Sequence, residues 1–360
     1  MKNNRIAIYP KSLSTLVSIK NVTLQLKFLS ISCLLILMFS CTKDRGIIET
    51  KLVVTKQDFS LPTNFDIVNF DFYSENNLFV VAYSGYEVQL FKSNNGGASW
   101  IELPNPVSTW NSSVDEVQSV VYMDSNNLAF VVDNKLYRSF DGGQNWVIIG
   151  EFSQSLRVFF ADKTADGKLL FIENNGSTDN RVLTSSYDSP AFTQIGSCPT
   201  LHFYFNQGHL SENYITFLTF DHDYSSGGIY GYNLVTQTQD FIGVNMNAYN
   251  YPNDALMAKG NLLFVRKDGI LNSLFGIQSN SQSNYYRYHS SDYYSAVDMG
   301  DYMVAVGDNT ISTSINGEWE EALNIDGTGI QELFRKVKKI DADHFYVSGV
   351  NGTFFKATFK

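Results

Sequence analysis

Short runs of apolar, β-branched and aromatic residues recur from about residue 64 to the C terminus, each broken by a polar turn. Leu78-Phe-Val-Val-Ala-Tyr83 is followed by Glu87-Val-Gln-Leu-Phe91, and Leu128-Ala-Phe-Val-Val132 by Lys135-Leu-Tyr137. Runs of this length and make-up, bounded by Asn-Asn, Asp-Gly and Asn-Gly pairs, predict strands joined by tight turns. The same pattern continues through Gly227–Leu234, Leu262–Val265 with Gly269–Leu271, Tyr302–Val306 and Phe345–Gly349. None of it sustains a helical period, so the chain reads as all-β. One run stands apart: Phe28–Ser40 is continuously apolar but for three Ser and a Cys, and follows a basic, acid-free leader.

The strand runs repeat, and their punctuation repeats with them. Phe91-Lys-Ser-Asn-Asn-Gly-Gly-Ala-Ser-Trp100 and Tyr137-Arg-Ser-Phe-Asp-Gly-Gly-Gln-Asn-Trp146 share one plan, with serines 46 residues apart. A weaker copy runs Ser186-Tyr-Asp188 to Phe192, and a shortened one Ser314-Ile-Asn316-Gly-Glu-Trp319. A fixed period of this size signals stacked or circularly arrayed units. In such a turn a short carboxylate or amide accepts backbone N–H groups, glycine takes positive φ, and the Trp packs on the returning strand. These residues resemble the Asp box, Ser-x-Asp-x-Gly-x-x-Trp, of sialidase-like, sortilin-like and photosystem II assembly factor-like β-propellers. Ser139, Asp141, Gly143 and Trp146 match at each position; Ser93, Gly97 and Trp100 match with Asn95 in place of Asp. The resemblance implies a single propeller of four-stranded blades over residues 49–360, and a structural role for the boxes. About seven units fit between Asn64 and Lys360, with six or eight left open because the fourth and fifth lack boxes. The last unit ends on its third strand, and Lys51-Leu-Val-Val-Thr55 stands unassigned near the start. Residues 49–56 are therefore expected to supply the missing outer strand and close the ring, which removes an open edge.

Charge changes the picture at the N terminus. Residues 1–40 hold five basic residues and no acid, which leaves residues 41–360 with a net charge of −15. A basic leader before a 13-residue apolar run has the form of a secretory signal and is short for a membrane span. Its end, Met38-Phe-Ser-Cys41 followed by Thr42-Lys-Asp44, resembles a bacterial lipoprotein signal, which implies lipidation of Cys41. An uncleaved N-terminal anchor is the alternative. The expected organisation is a signal at 1–40, a lipid-anchored tether at 41–48 and the propeller beyond, in the bacterial envelope and in its outer membrane. The acidic balance removes the basic surface that nucleic-acid binding requires. With Cys33 in the signal and Cys41 lipidated, Cys198 has no disulfide partner and reads as a small buried apolar residue.

Chemistry is sparse. The Arg-Ile-Pro motif that would accompany sialidase activity does not occur, and the arginines beyond residue 40 are scattered. Asp221-His222-Asp223 is the densest potential metal group, but three polar residues in succession suit a solvated loop, so no metal and no cofactor are expected. No catalytic set emerges, although a meeting of two acids from distant strands is beyond the reach of sequence. Tyrosines crowd residues 285–294, and Tyr286, Tyr288, Tyr293 and Tyr294 are the candidate ligand contacts, since a phenol offers a flat apolar face and a polar tip. The expected function is a non-enzymatic envelope lipoprotein that binds a glycan or protein through one propeller face. The alternatives are an assembly or scaffolding factor for an envelope complex and a polysaccharide-active hydrolase or lyase.

Overall fold

A computed structural model describes residues 52–359, apart from 56–60, 62–64, 85–86, 108–116, 133–134, 150–156, 175–178, 187–188, 190, 200–207, 212–213, 221–226, 245–251, 259–260, 267–268, 275–283, 287–292, 316–317 and 322–331. Residues 1–48 with Cys41, Asp188, Tyr288, Asn316 and Asp221–Asp223 lie outside the described residues.

The described residues form 28 strands in seven antiparallel sheets of four. The first sheet runs Asp66–Ser74, Asn77–Ser84, Glu87–Ser93 and Ile101–Leu103, and the next five follow it in chain order. The seventh takes Phe334–Lys339, His344–Gly349 and Phe354–Phe359 from the C terminus and its outer strand, Leu52–Thr55, from the opposite end of the chain. Leu52 pairs with Phe359 and Thr55 with Lys356, where the sequence left a third strand uncovered. The first strand of each sheet lies beside that of the next, and the seventh lies beside the first. This is a ring of sheets radiating from a central axis.

Burial explains why these runs form these strands. Residues 128–132 and 78–82 are buried at every position, because each middle strand is covered by a neighbouring sheet on both faces. Such strands read as continuous apolar runs; the outer strands lose that double cover, and Ile101, Val147 and Ile148 are exposed. The cores therefore lie between sheets. One joins Phe79, Val81 and Leu90 of the first sheet to Val120, Leu128 and Phe130 of the second. Another joins Phe70 and Val80 of the first to Tyr346 and Phe354 of the seventh, with Phe70 edge-on to Phe354 at 4.8 Å.

The innermost strands share a detail that positions the site. In six of the seven, pairing skips one residue near the start: between Ile67 and Asn69, Val117 and Ser119, Val158 and Phe160, Pro252 and Asp254, Tyr293 and Ser295, and Phe334 and Lys336. A β-bulge bends its strand and re-aims the residue that follows it. The exception is the four-residue strand Gly208–Ser211.

Candidate functional site

The turns between the first and second strands, and between the third and fourth, fall at one end of the ring, as antiparallel order requires. The Ser-x-Asp turns lie there. Ser139 Oγ accepts the Gly143 N–H at 2.8 Å, and Asp141 Oδ1 accepts those of Gln144 and Asn145 at 3.1 and 2.9 Å. The Asn95 turn repeats this, with Gly97 N–H on Ser93 Oγ at 2.8 Å and Ser99 N–H on Asn95 Oδ1 at 2.9 Å. Gly143 sits at φ +94°, and a Cβ there would meet Leu103 Cδ1 at 2.5 Å, so both backbone and neighbour require glycine. Trp146 stacks against Phe79 of the preceding sheet with ring centroids 6.0 Å apart, and Trp100 lies edge-on to Phe354 of the seventh. The tryptophans thus bridge sheets, and Trp146 also lies edge-on to Phe130 of its own sheet at 5.1 Å.

One copy needs correction. Ser185, paired with Leu169, holds the ladder position that Ser93 and Ser139 hold opposite Leu78 and Leu128; the sequence match on Ser186 is one residue late. Phe192, half-buried, edges onto Phe171 of its own sheet. In the shortened copy Ile315 pairs with Glu318. Trp319 pairs opposite Ser314 and is 1% exposed.

The basic residue before the box serine has a role that the sequence did not reveal. Arg138, fully buried, donates from Nη1 to Ser185 Oγ at 2.6 Å and to Ser189 O at 3.2 Å, and from Nη2 to Ser186 O at 2.6 Å. Lys92 Nζ donates to Ser125 O at 2.8 Å. Each side chain ties its sheet to a turn of the next. Arg181 pairs with Glu173, so neither it nor Arg138 is spare for a substrate carboxylate.

The tyrosine candidates fall at the other end of the ring. Tyr286 ends the strand Asn284–Tyr286, and Tyr293 begins the innermost strand of the sixth sheet. Tyr293 is 0% exposed with its hydroxyl 2.7 Å from Ser312 Oγ, so it has no surface to offer a ligand. Tyr294 is half-buried; the Arg335 guanidinium lies 4.4 Å from its ring centroid, and its hydroxyl donates to Asp308 Oδ2 at 3.4 Å.

A cavity of about 510 Å³ occupies the axis, lined by the middle and later residues of the innermost strands. The residues that follow the bulges, Asn69, Ser119, Phe160, Ser295 and Lys336, all line it, and Asp254 holds the same position on the fifth sheet. Around them stand Asp71, Asp162, Asp298, Lys163, Lys338 and His209. Asp71 is the hub. Its Oδ1 accepts Lys338 Nζ at 2.9 Å, its Oδ2 accepts the Tyr122 N–H at 2.7 Å, and Lys163 Nζ lies 3.7 Å away. One carboxylate thereby links the first, second, third and seventh sheets. Burial alone would raise its pKa, but the two ammonium groups and the Tyr122 N–H outweigh that and hold it below the usual carboxylate range. Asp162 moves the other way: burial raises it, Asp71's like charge adds to the rise, and Lys338 and the Lys163 N–H offset it only in part. Two neighbouring acids pushed apart in pKa mark a functional-site candidate.

One further group gathers at the seam of the seventh and first sheets. Glu75, Asp341 and His344 bring one ligand atom each within 4.8 Å of one another. All three are already partnered: His344 Nδ1 lies 2.7 Å from Asp341 Oδ1, and Glu75 Oε1 accepts Lys356 Nζ at 3.1 Å. Asp341 Oδ1 also accepts the Asp343 and His344 N–H groups, so the cluster serves its turn.

No protein-family profile matches the sequence, and no curated protein matches it. Solved structures do. YCF48 bound to D1 peptide is similar with a TM-score of 0.63 at 13% identity, covering 87% of this chain and 97% of that one. Virginiamycin B lyase from Staphylococcus aureus gives 0.61 at 13%, covering 86% and 99%. PorZ, a surface component of the type-IX secretion system of Porphyromonas gingivalis, gives 0.56 at 12%, covering 85% of this chain and 48% of that one. Likeness at such identities is a likeness of fold, and it agrees with the seven sheets: the chain folds as a β-propeller.

Proposed function

We propose that the chain is a non-enzymatic lipoprotein of the bacterial cell envelope, anchored in the outer membrane through Cys41, that binds a glycan in the axial cavity. The cavity carries this reading. Its volume falls in the range of about 300–1,000 Å³ typical of small-ligand sites. Its wall combines Phe72 and Tyr73 with hydroxyl, amide and charged groups, the mixture that sugar rings and their hydroxyls require. Large apolar side chains exposed elsewhere on the described surface are few, which gives a broad protein-docking patch less support.

Two other readings each have one observation behind them. An assembly or scaffolding role is supported by the solved neighbours, one holding a peptide and one described as part of a secretion system. A hydrolase or lyase is supported by Asp162, whose raised pKa suits a general acid. The deciding experiment presents residues 47–360 to an array of glycans and polysaccharides and assays the same mixtures for cleavage. Specific retention without cleavage is the expected result. Retention with cleavage that Asp162→Asn abolishes would replace it with the enzymatic reading. No retention by folded protein would move the weight to a protein partner, to be sought by crosslinking in intact envelopes.

A further inference from the structure

Most charged groups along the axis are engaged with one another or with the backbone. Asp71 takes Lys338 and Lys163, and Lys163 Nζ also donates to Phe72 O at 2.7 Å. Lys339 Nζ donates to Met299 O at 3.0 Å, and Asp298 Oδ1 accepts the Gly300 N–H at 2.8 Å. Charge is balanced as well. Asp71, Asp162 and Asp298, with Asp254 at its ring position on the fifth sheet, stand against Lys163, Lys336, Lys338 and Lys339, so neither sign prevails. Three groups on three successive sheets are left open. Asn69 Oδ1 accepts the Phe70 N–H at 2.9 Å, and the amide N–H donors have no partner among the described residues. Ser119 Oγ accepts the Ala161 N–H at 3.1 Å, and its own proton goes to no described residue. Asp162 Oδ1 accepts the Lys163 N–H at 2.7 Å, and Oδ2 accepts from no described residue.

Asn69 and Ser119 are each 6% exposed, and all three residues line the cavity. Buried polar groups are as a rule hydrogen-bonded, so open ones on a cavity wall call for a ligand group or water. The two axial acids show the contrast. Asp71 and Asp162 each stand two residues beyond the one that follows the bulge, yet Asp71 has both oxygens bonded and Asp162 only one. The arc thus offers donors at Asn69 and Ser119 and an acceptor at Asp162, without surplus charge. A sugar hydroxyl accepts and donates at once, which suits such an arc. Tyr73, edge-on to Tyr122 at 4.9 Å and 37% exposed, gives the same cavity an apolar ring. Resting on the glycan reading above, we propose that the axial cavity takes an uncharged sugar whose hydroxyls are read by Asn69, Ser119 and Asp162.

The test is calorimetric titration of the full-length protein in detergent with mannotriose, laminaritriose and chitotriose. Their permethylated forms keep the rings and remove the hydroxyl donors, while trigalacturonate and the glucosamine trisaccharide add charge of either sign. At least one uncharged sugar should bind about ten-fold or more tighter than its permethylated form and than both charged sugars. Its affinity should change little as NaCl rises from about 50 to 500 mM. Asn69→Asp keeps the acceptor for the Phe70 N–H and withdraws the donors, and Asp162→Asn keeps Oδ1 and puts donors where Oδ2 stood. Each should weaken that sugar about ten-fold, with melting curves run on both variants to establish folding. If Asn69→Asp fails to fold, Asp162→Asn decides alone, since its weaker binding is expected together with a raised melting temperature. Native affinity in either folded variant would overturn the proposal and leave the glycan reading standing. Tighter binding of a charged sugar would do the same. If none of the sugars binds, the proposal falls, and the broad array above decides the glycan reading separately.

Discussion

Asp141 lies on the surface, and its carboxylate nonetheless organises a turn by accepting two backbone N–H groups and the Ser139 hydroxyl at 2.8 Å. Those N–H groups are themselves exposed, so water replaces the carboxylate when it is lost and the penalty is modest. Asp141→Ala should lower the melting temperature by about 1–3 °C and leave ligand retention intact; lost retention in a fully folded variant would move Asp141 from scaffold to site. Arg138 is a different case. Its substitution removes three hydrogen bonds, one to the buried Ser185 hydroxyl and two to part-buried carbonyls of Ser186 and Ser189, whereas Lys92 is partly exposed and its one hydrogen bond goes to an exposed carbonyl. Arg138→Ala should therefore destabilise by several degrees and more than Lys92→Ala, and thermal melts showing the reverse order would contradict the role of the inter-sheet tie. Both residues stand before a box serine, and their basic character was visible in the sequence. Their destination was not, because the acceptors lie 33 to 51 residues further along the chain or are backbone carbonyls with no sequence signature.

At the scale of elements, strands were the most legible feature. Middle strands such as Leu128–Val132 are buried on both faces, and this double burial writes a continuous apolar run into the chain. Turns with glycine at positive φ, such as Gly142 and Gly143, were equally readable. The bulges were not. Each needs only one skipped residue, and that residue is Val68 on one strand, Gln118 on another and Arg335 on a third, so no residue type betrays it. Because the bulges aim residues at the axis, the cavity lining was hidden too, and of the tyrosines that the sequence displays, Tyr293 proves to be core. The strand Leu52–Thr55 is an element whose importance exceeds its length. It pairs along all four of its residues with Phe354–Phe359, and without it that strand would present a bare edge. Deleting residues 47–60 should cause a large drop in melting temperature together with aggregation on heating. A melting curve unchanged by the deletion would show that the seventh sheet holds without its outer strand.

Across the whole molecule the ring is locked at two radii, by the outer strand of the seventh sheet and by the charges at the axis. The axial lock has a pH signature, because its two acids are displaced in opposite directions. Asp71 has a folded pKa below its ordinary value, so its contribution to stability is complete above that value and fades as pH falls through the folded one. Removing one partner of a buried pair costs about 3–5 kcal/mol; the low end applies here, since the Lys163 and Lys338 side chains are 34% and 23% exposed. Asp71→Asn should thus melt well below the native protein at pH 7, with the difference shrinking towards pH 3. Asp162 has a folded pKa above its ordinary value, so the fold favours its neutral form and loses stability as pH rises through that interval. Asp162→Asn should therefore melt above the native protein, by a margin that widens from pH 4 to pH 8. A gain of stability on replacing a charged residue in a cavity is what a site kept for binding, at some expense to the fold, would show. Melts of the three proteins across that range test both signs together. A constant gap for Asp71→Asn would trace its loss to packing, with the ion pairs irrelevant, and a destabilised Asp162→Asn would make that carboxylate part of the scaffold.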